Sequence, residues 1–176
     1  MEQESVQCDG CECWLHQDCV GMSTSQYVNF SQPHLQFFCR QCVTTRDGYN
    51  FFASLSRIAE CAPDISRMRA RAESERNLLS FYAVGLPDVV RVSLDNLPTH
   101  TQSVALLRDY SPWLLDHFVP VDVAGDGNCL FRAVSVALYG TEAYHSQLRL
   151  LAAIEVLTHR KLYDSIHVPI TTNRTE

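Results

Sequence analysis

Cys8-Asp9-Gly10-Cys11, His16-Gln17-Asp18-Cys19 and Cys39-Arg40-Gln41-Cys42 bring six thiol or imidazole ligands into a span of 35 residues. Thiolates at CxxC spacing reach one ion because the tight turn between them aims both sulfurs inward. Two such pairs close a tetrahedral structural site that suits zinc. Cys8, Cys11, Cys39 and Cys42 make that set, which leaves His16 and Cys19 to serve a second ion. A second run with chemistry in it is Gly125-Asp126-Gly127-Asn128-Cys129. A cysteine that opens a helix after a glycine-containing turn sits where the helix dipole and free amides favour negative charge. Those amides are also candidates for an oxyanion hole, the arrangement by which a cysteine hydrolase presents its nucleophile.

The chain that must position these groups has 176 residues, 46% hydrophobic and 19% charged, enough for one ordinary domain or two small ones. Its net charge of -6 argues against direct nucleic-acid binding and suits a basic partner. No apolar run nears the roughly 18 residues of a membrane span, and no basic, apolar leader opens the sequence. A reducing intracellular setting without membrane contact is therefore expected, with cysteines serving as ligands or nucleophile rather than in disulfides.

Three segments differ in character. Residues 1–43 are cysteine-rich with little periodicity. Residues 44–118 read as helices: Pro63-Asp64 opens one running through Leu78, Leu79 and Tyr82 that Gly85 closes. Ser111-Pro112 caps a shorter one through Trp113 and Phe118. Arg67, Arg69, Arg71 and Arg76 among Glu73 and Glu75 predict a solvated helix with ion pairs inside it. Cys61 and the aromatic pairs Phe51-Phe52 and Phe81-Tyr82 read as core. Beyond residue 118, Val119–Val123 alternates like a short strand, and Cys129–Leu138 reads as a helix that Gly140 ends. A further helix is predicted from Glu142 to about Tyr163, followed by a ragged last ten residues.

The cysteine order, with Trp14 two residues before His16 and Phe37 two before Cys39, resembles a PHD finger over residues 3–43. In that family eight ligands alternate in a cross-brace around two zinc ions. The resemblance makes Cys8 and Cys11 the second pair, His16 and Cys19 the third, and Cys39 and Cys42 the fourth. The first pair has no counterpart here, so one site is complete and the other half-built, as in an amino-terminal truncation or a gene model lacking an upstream exon. Cys13 lies at a non-ligand position. The resemblance implies recognition of a histone tail or similar basic peptide. Such a tail adds as a strand beside Glu4-Ser5-Val6-Gln7, and Trp14 forms one wall of a methyl-lysine cage. That role implies a nuclear protein, with a cytoplasmic one as the alternative.

Asp126-Gly127-Asn128-Cys129-Leu130-Phe131-Arg132-Ala133 resembles the nucleophile motif of OTU-type cysteine deubiquitinases, and His145-Ser146-Gln147-Leu148-Arg149 matches their second helix. Vertnin-like proteins show a similar stretch. The resemblance implies Cys129 as nucleophile, Asp126 as the loop acid shaping the oxyanion pocket, and ubiquitin as partner. The family's histidine base comes from a later strand. His34, His100 and His117 precede the motif, His145 opens a helix, His159 is mid-helix, and His167 is too early. The expectation is an inactive fragment, from either an active thiol isopeptidase or a non-catalytic, transposon-derived adaptor. The fold class is α+β, mostly helical: a small cross-brace PHD-like zinc finger (1–43), a helical connector (44–118), and an incomplete OTU-like domain of papain-type α/β fold (119–176).

Overall fold

Ser5–Gln7 (β1) and Trp14–His16 (β2) pair antiparallel with Val6 opposite Leu15, so the first CxxC occupies the loop of a hairpin. The computed structural model describes residues 4–93, 95 and 97–164. Of these, residues 4–84 with 151–164 make one compact unit, and those between 85 and 150 make another.

In the first unit a 3-10 turn at Asp18–Val20 ends on Gly21, whose φ of +68° favours glycine. Thr24–Phe30 (α1) follows, started by a capping box in which Ser23 and Gln26 satisfy each other's backbone amides. The Ser23-x-x-Gln26 spacing was the signal for this helix in a segment that lacks apolar periodicity. Cys39 leads into Arg40–Val43 (α2). A two-residue hairpin, Thr44–Thr45 (β3) with Gly48–Tyr49 (β4), then turns the chain into Phe51–Ala59 (α3).

The long helix Ile65–Phe81 (α4) starts where Asp64 accepts hydrogen bonds from the Ser66 and Arg67 amides at 2.9 and 3.1 Å. It stops earlier than the sequence predicts. Tyr82 is its C-cap, and the left-handed residue is Ala83, at φ +52°, rather than Gly85. The cause is packing, because Phe81 and Tyr82 are drawn into the core of the cysteine-rich segment.

That core gathers Val6, Cys8, Met22, Phe30, Phe37, Phe38, Cys39, Val43 and Leu78, with Phe81 and Tyr82 against it. Phe30, Phe37 and Phe81 meet edge to face, with centroids 5.3, 5.7 and 6.1 Å apart. The Tyr82 hydroxyl donates to the Phe38 carbonyl at 2.8 Å. Phe81 and Tyr82 are thus core, as read, but of the finger. Phe52, by contrast, lies largely exposed, and Cys61 is buried.

The charges of α4 also depart from expectation. Among the described residues no ion pair lies within the helix. Glu75, 0% exposed, instead takes a two-pronged contact from Arg57 of α3 at 2.6 and 3.0 Å. Ser54 and Tyr49 complete the cluster, and the Tyr49 hydroxyl is pushed up to about 12 by burial first and the Glu75 carboxylate second. The Arg57 and Arg71 guanidinium groups lie 4.5 and 5.5 Å from the centre of the Phe38 ring. Glu73 pairs with His34, from the loop before the second CxxC, at 3.7 Å. The helix thereby turns its acids outward to other elements.

In the second unit Thr101–Tyr110 (α5) is capped by His100, and a 3-10 turn at Pro112–Asp116 replaces the short α-helix read there. The Ser111 side chain makes no capping bond. Val119–Val123 forms no strand but a single bridge, Thr99 opposite Val121. Pro98 and Pro120 each accept a hydrogen bond beside it, at 2.7 and 2.9 Å. Neither can donate one, so pairing cannot extend.

Cys129–Tyr139 (α6) ends on Gly140 at φ +70°, as predicted. The next helix begins at His145, not Glu142, and breaks at His159 into His145–Thr158 (α7) and Arg160–Asp164 (α8). The start is delayed because Ser135 takes the Tyr144 amide and donates to the Thr141 carbonyl, holding residues 141–144 in a turn. His167 and the ragged end lie outside the described residues. No described helix is long and apolar enough to cross a membrane.

Candidate metal centre and cysteine turn

The first CxxC loop is held against the second by reciprocal bonds. The Phe37 amide donates to Asp9 Oδ2 and the Asp9 amide to the Phe37 carbonyl, both at 2.8 Å. Gly10 permits the approach, since a Cβ there would stand 3.0 Å from both Cys42 Sγ and the Phe38 ring. Asp9 and Gly10 therefore dock the two loops, a role that CxxC spacing alone does not announce.

The result is a cluster in which the Sγ atoms of Cys8, Cys11, Cys39 and Cys42 all lie within 4.8 Å of one another. Cys8–Cys42 and Cys39–Cys42 are 3.7 Å apart, and Cys11–Cys39 is 3.8 Å. Sulfurs about 2.3 Å from a shared zinc, at the corners of a tetrahedron, are separated by about 3.8 Å. The Cys39 amide also donates to Cys8 Sγ at 3.1 Å, a contact that stabilises a thiolate. The donor set fits zinc. Four sulfurs leave no ligand position for a substrate, so what the metal supplies is folding free energy.

His16 Nδ1 and Cys19 Sγ face each other at 3.9 Å on the surface, a pair with no third ligand among the described residues. Trp14 is 67% exposed and opposite Gln7 in the hairpin. The Gln17 amide bonds Glu4 O and the Cys8 amide bonds Cys13 O, both at 2.9 Å. In this register Glu4, Val6 and Cys8 direct their main-chain groups to β2, whereas those of Ser5 and Gln7 point to the open edge. Val6 itself is buried in the core, so of the two β1 residues named from sequence only Gln7 faces that edge.

Thiol protonation follows position. Cys11 is lowered to about 7, first by the Cys13 backbone amide beside its sulfur. Cys39 and Cys42 are raised, first by burial. Ligation must expel the protons of these two thiols, and lower pH opposes that. Apparent zinc affinity is therefore expected to climb at least about a hundredfold per pH unit between pH 6 and 8. Competition against a chromogenic chelator measures it, and a flat profile contradicts the assignment.

In the second unit the cysteine turn is braced rather than open. The Asp126 carboxylate accepts from the Asn128 amide at 2.8 Å and from Arg132 Nη2 at 2.8 Å. Arg132 foremost, then that amide, holds it well below the usual carboxylate range. Arg132 also donates to Glu142 at 2.8 Å, and Glu142 accepts the Ala124 amide at 3.1 Å. Arg149 of α7 bonds the Asn128 side chain. Cys129, exposed, opens α6.

The amides of Asp126, Asn128 and Cys129 are spent within the turn, so only the Gly127 amide is without a partner among the described residues of the loop's second half. The loop correspondingly offers fewer free amides for an oxyanion hole than its sequence suggests. Among the described residues no histidine hydrogen-bonds Cys129 Sγ. Arg132 and Arg149 stand in the motif-bearing runs and Glu142 at a predicted helix start, but none carries a role from sequence. Their acid–base spacing alone does not reveal a clamp between separate elements.

Comparison with known proteins adds two matches. Residues 1–42 match the PHD-finger family, and residues 120–175 match the OTU domain of vertnin. A curated relative, OVARIAN TUMOR DOMAIN-containing deubiquitinating enzyme 12 of Arabidopsis thaliana, is 42% identical over 52 residues, 30% of this chain and 23% of that protein. The chain thus spans less than a quarter of the length of that relative. No solved structure matches.

Proposed function

We propose that the first unit is a zinc-stabilised peptide reader that takes a basic, extended segment such as a histone tail as a third strand beside β1. The observation that carries this is the free outward edge of Ser5 and Gln7, flanked by the exposed Trp14. Main-chain pairing provides the docking, and an indole at the rim supplies a face for a methylated ammonium. The net charge of -6 and the PHD-finger match favour a basic partner and a chromatin setting in the nucleus. Trp14→Ala is expected to weaken binding of a trimethyl-lysine histone peptide at least roughly tenfold, by calorimetry, with zinc content unchanged. Retained affinity would remove Trp14 from the site, and lost zinc would make it core instead.

A second reading rests on the braced turn at Cys129 and the OTU matches. Here the clamp of Asp126, Arg132 and Glu142 holds the thiol for attack on a ubiquitin isopeptide, with a base from outside the described residues. Covalent capture of a ubiquitin propargyl probe by Cys129 separates this reading from a non-catalytic adaptor.

A further inference from the structure

The metal cluster has a fifth sulfur beside it. Cys13 is exposed and stands outside the four-sulfur set, two residues from Cys11 at the end of the same loop. The local fold imposes this. The Cys8 amide donates to the Cys13 carbonyl at 2.9 Å and the Glu12 amide to the Cys8 carbonyl at 2.8 Å, closing a loop of six residues from Cys8 to Cys13. Glu12, between the two thiols, takes a φ of +60°, a conformation that a non-glycine residue adopts only where its surroundings hold it. Among the four clustered sulfurs, Cys8 and Cys39 are buried and Cys42 partly so, while Cys11 is exposed. An oxidant in solvent meets Cys11 first, and the nearest exposed thiol outside the cluster is Cys13.

We propose that Cys11 and Cys13 are a peroxide-sensitive pair whose disulfide opens the metal cluster. The proposal rests on the zinc reading above. The Cys11 thiolate attacks one peroxide oxygen, the O–O bond breaks, and sulfenic acid forms with hydroxide as the leaving group. Cys13 then attacks the sulfenic sulfur, giving its proton to the departing hydroxide. The sum is one thiolate, one thiol and one peroxide to one disulfide, one water and one hydroxide, with the sulfurs oxidised and the peroxide reduced. Cys11 is thereby lost from the ligand set. A bridge across a single intervening residue closes a tight ring, and strained disulfides are the readily reduced ones, so a dithiol reverses the change.

The test uses the whole chain, reduced and loaded with zinc, treated with hydrogen peroxide while released zinc is followed with a chromogenic chelator. Zinc content before oxidation checks the underlying reading separately from the proposal. Peptide mapping of the wild type is expected to find the Cys11–Cys13 bridge, and dithiothreitol with added zinc is expected to restore most of the bound metal. In Cys13→Ser the sulfenic acid loses its exposed partner and the buried Cys39 is the remaining neighbour, so more of it proceeds to sulfinic acid and the recoverable fraction falls roughly fivefold or more. A wild-type bridge mapped between Cys11 and Cys39 or between Cys39 and Cys42, or equal recovery in Cys13→Ser, overturns the proposal. If the reduced protein holds no zinc, the metal reading fails. The mapped bridge then still decides the pairing.

Discussion

Chelation of zinc at neutral pH is expected to collapse the cysteine-rich segment and loosen α4 with it. Cys8 and Cys39 are themselves members of the hydrophobic core, so removing the metal leaves buried thiols with nothing to hold them together. Structural zinc in small domains contributes on the order of 10 kcal/mol to folding, more than this core of a few aromatics can replace. Near-ultraviolet circular dichroism reads the result through the rings of Phe30, Phe37, Phe81 and Tyr82, whose packing depends on the two docked loops. Cys39→Ser should reproduce the chelated spectrum. An unchanged spectrum after verified zinc removal would mean that the sulfur cluster is ornamental to the fold.

The second large effect lies at Glu75. Glu75→Ala leaves the Arg57 guanidinium, 14% exposed, against Phe38 without its anion and is expected to cost about 3–5 kcal/mol. The Tyr49 hydroxyl loses its acceptor in the same step. Urea unfolding of the zinc-loaded protein measures the loss. The paired change Arg57→Met with Glu75→Leu should recover most of it, because an apolar pair carries no desolvation penalty. Equal destabilisation by the single and paired changes would show that packing volume, not charge, is what matters there.

These two sites were not equally visible in the sequence. The four-sulfur set was legible because metal ligation is a local rule: CxxC spacing states its own geometry, and only the meeting of the two pairs had to be inferred. The partnership of Arg57 with Glu75 was not. Arginines and glutamates lie close together along α4, and sequence spacing favours pairs within a helix. The actual partner comes from α3, 18 residues away, and is chosen by which face of α4 is buried. The same limit hid the role of Leu78, Phe81 and Tyr82. They sit at one end of an otherwise polar helix and read as the core of a separate segment, whereas they close the finger.

At the cysteine turn the motif disclosed Asp126 and Cys129. That the amides around Cys129 are consumed by the turn itself depends on hydrogen bonds that no residue type announces. The failed strand at Val119–Val123 was partly readable, since Pro120 lies within it. The second obstacle, Pro98, lies 22 residues earlier in the chain.

The seating of Tyr82 on the Phe38 carbonyl bears on how this module can be transplanted. A graft that ends at the last cysteine would carry the sulfurs but leave a greasy scar where Leu78 and Phe81 had been, and such a piece would clump. A portable version must run at least through residue 84, with the helix as its own lid.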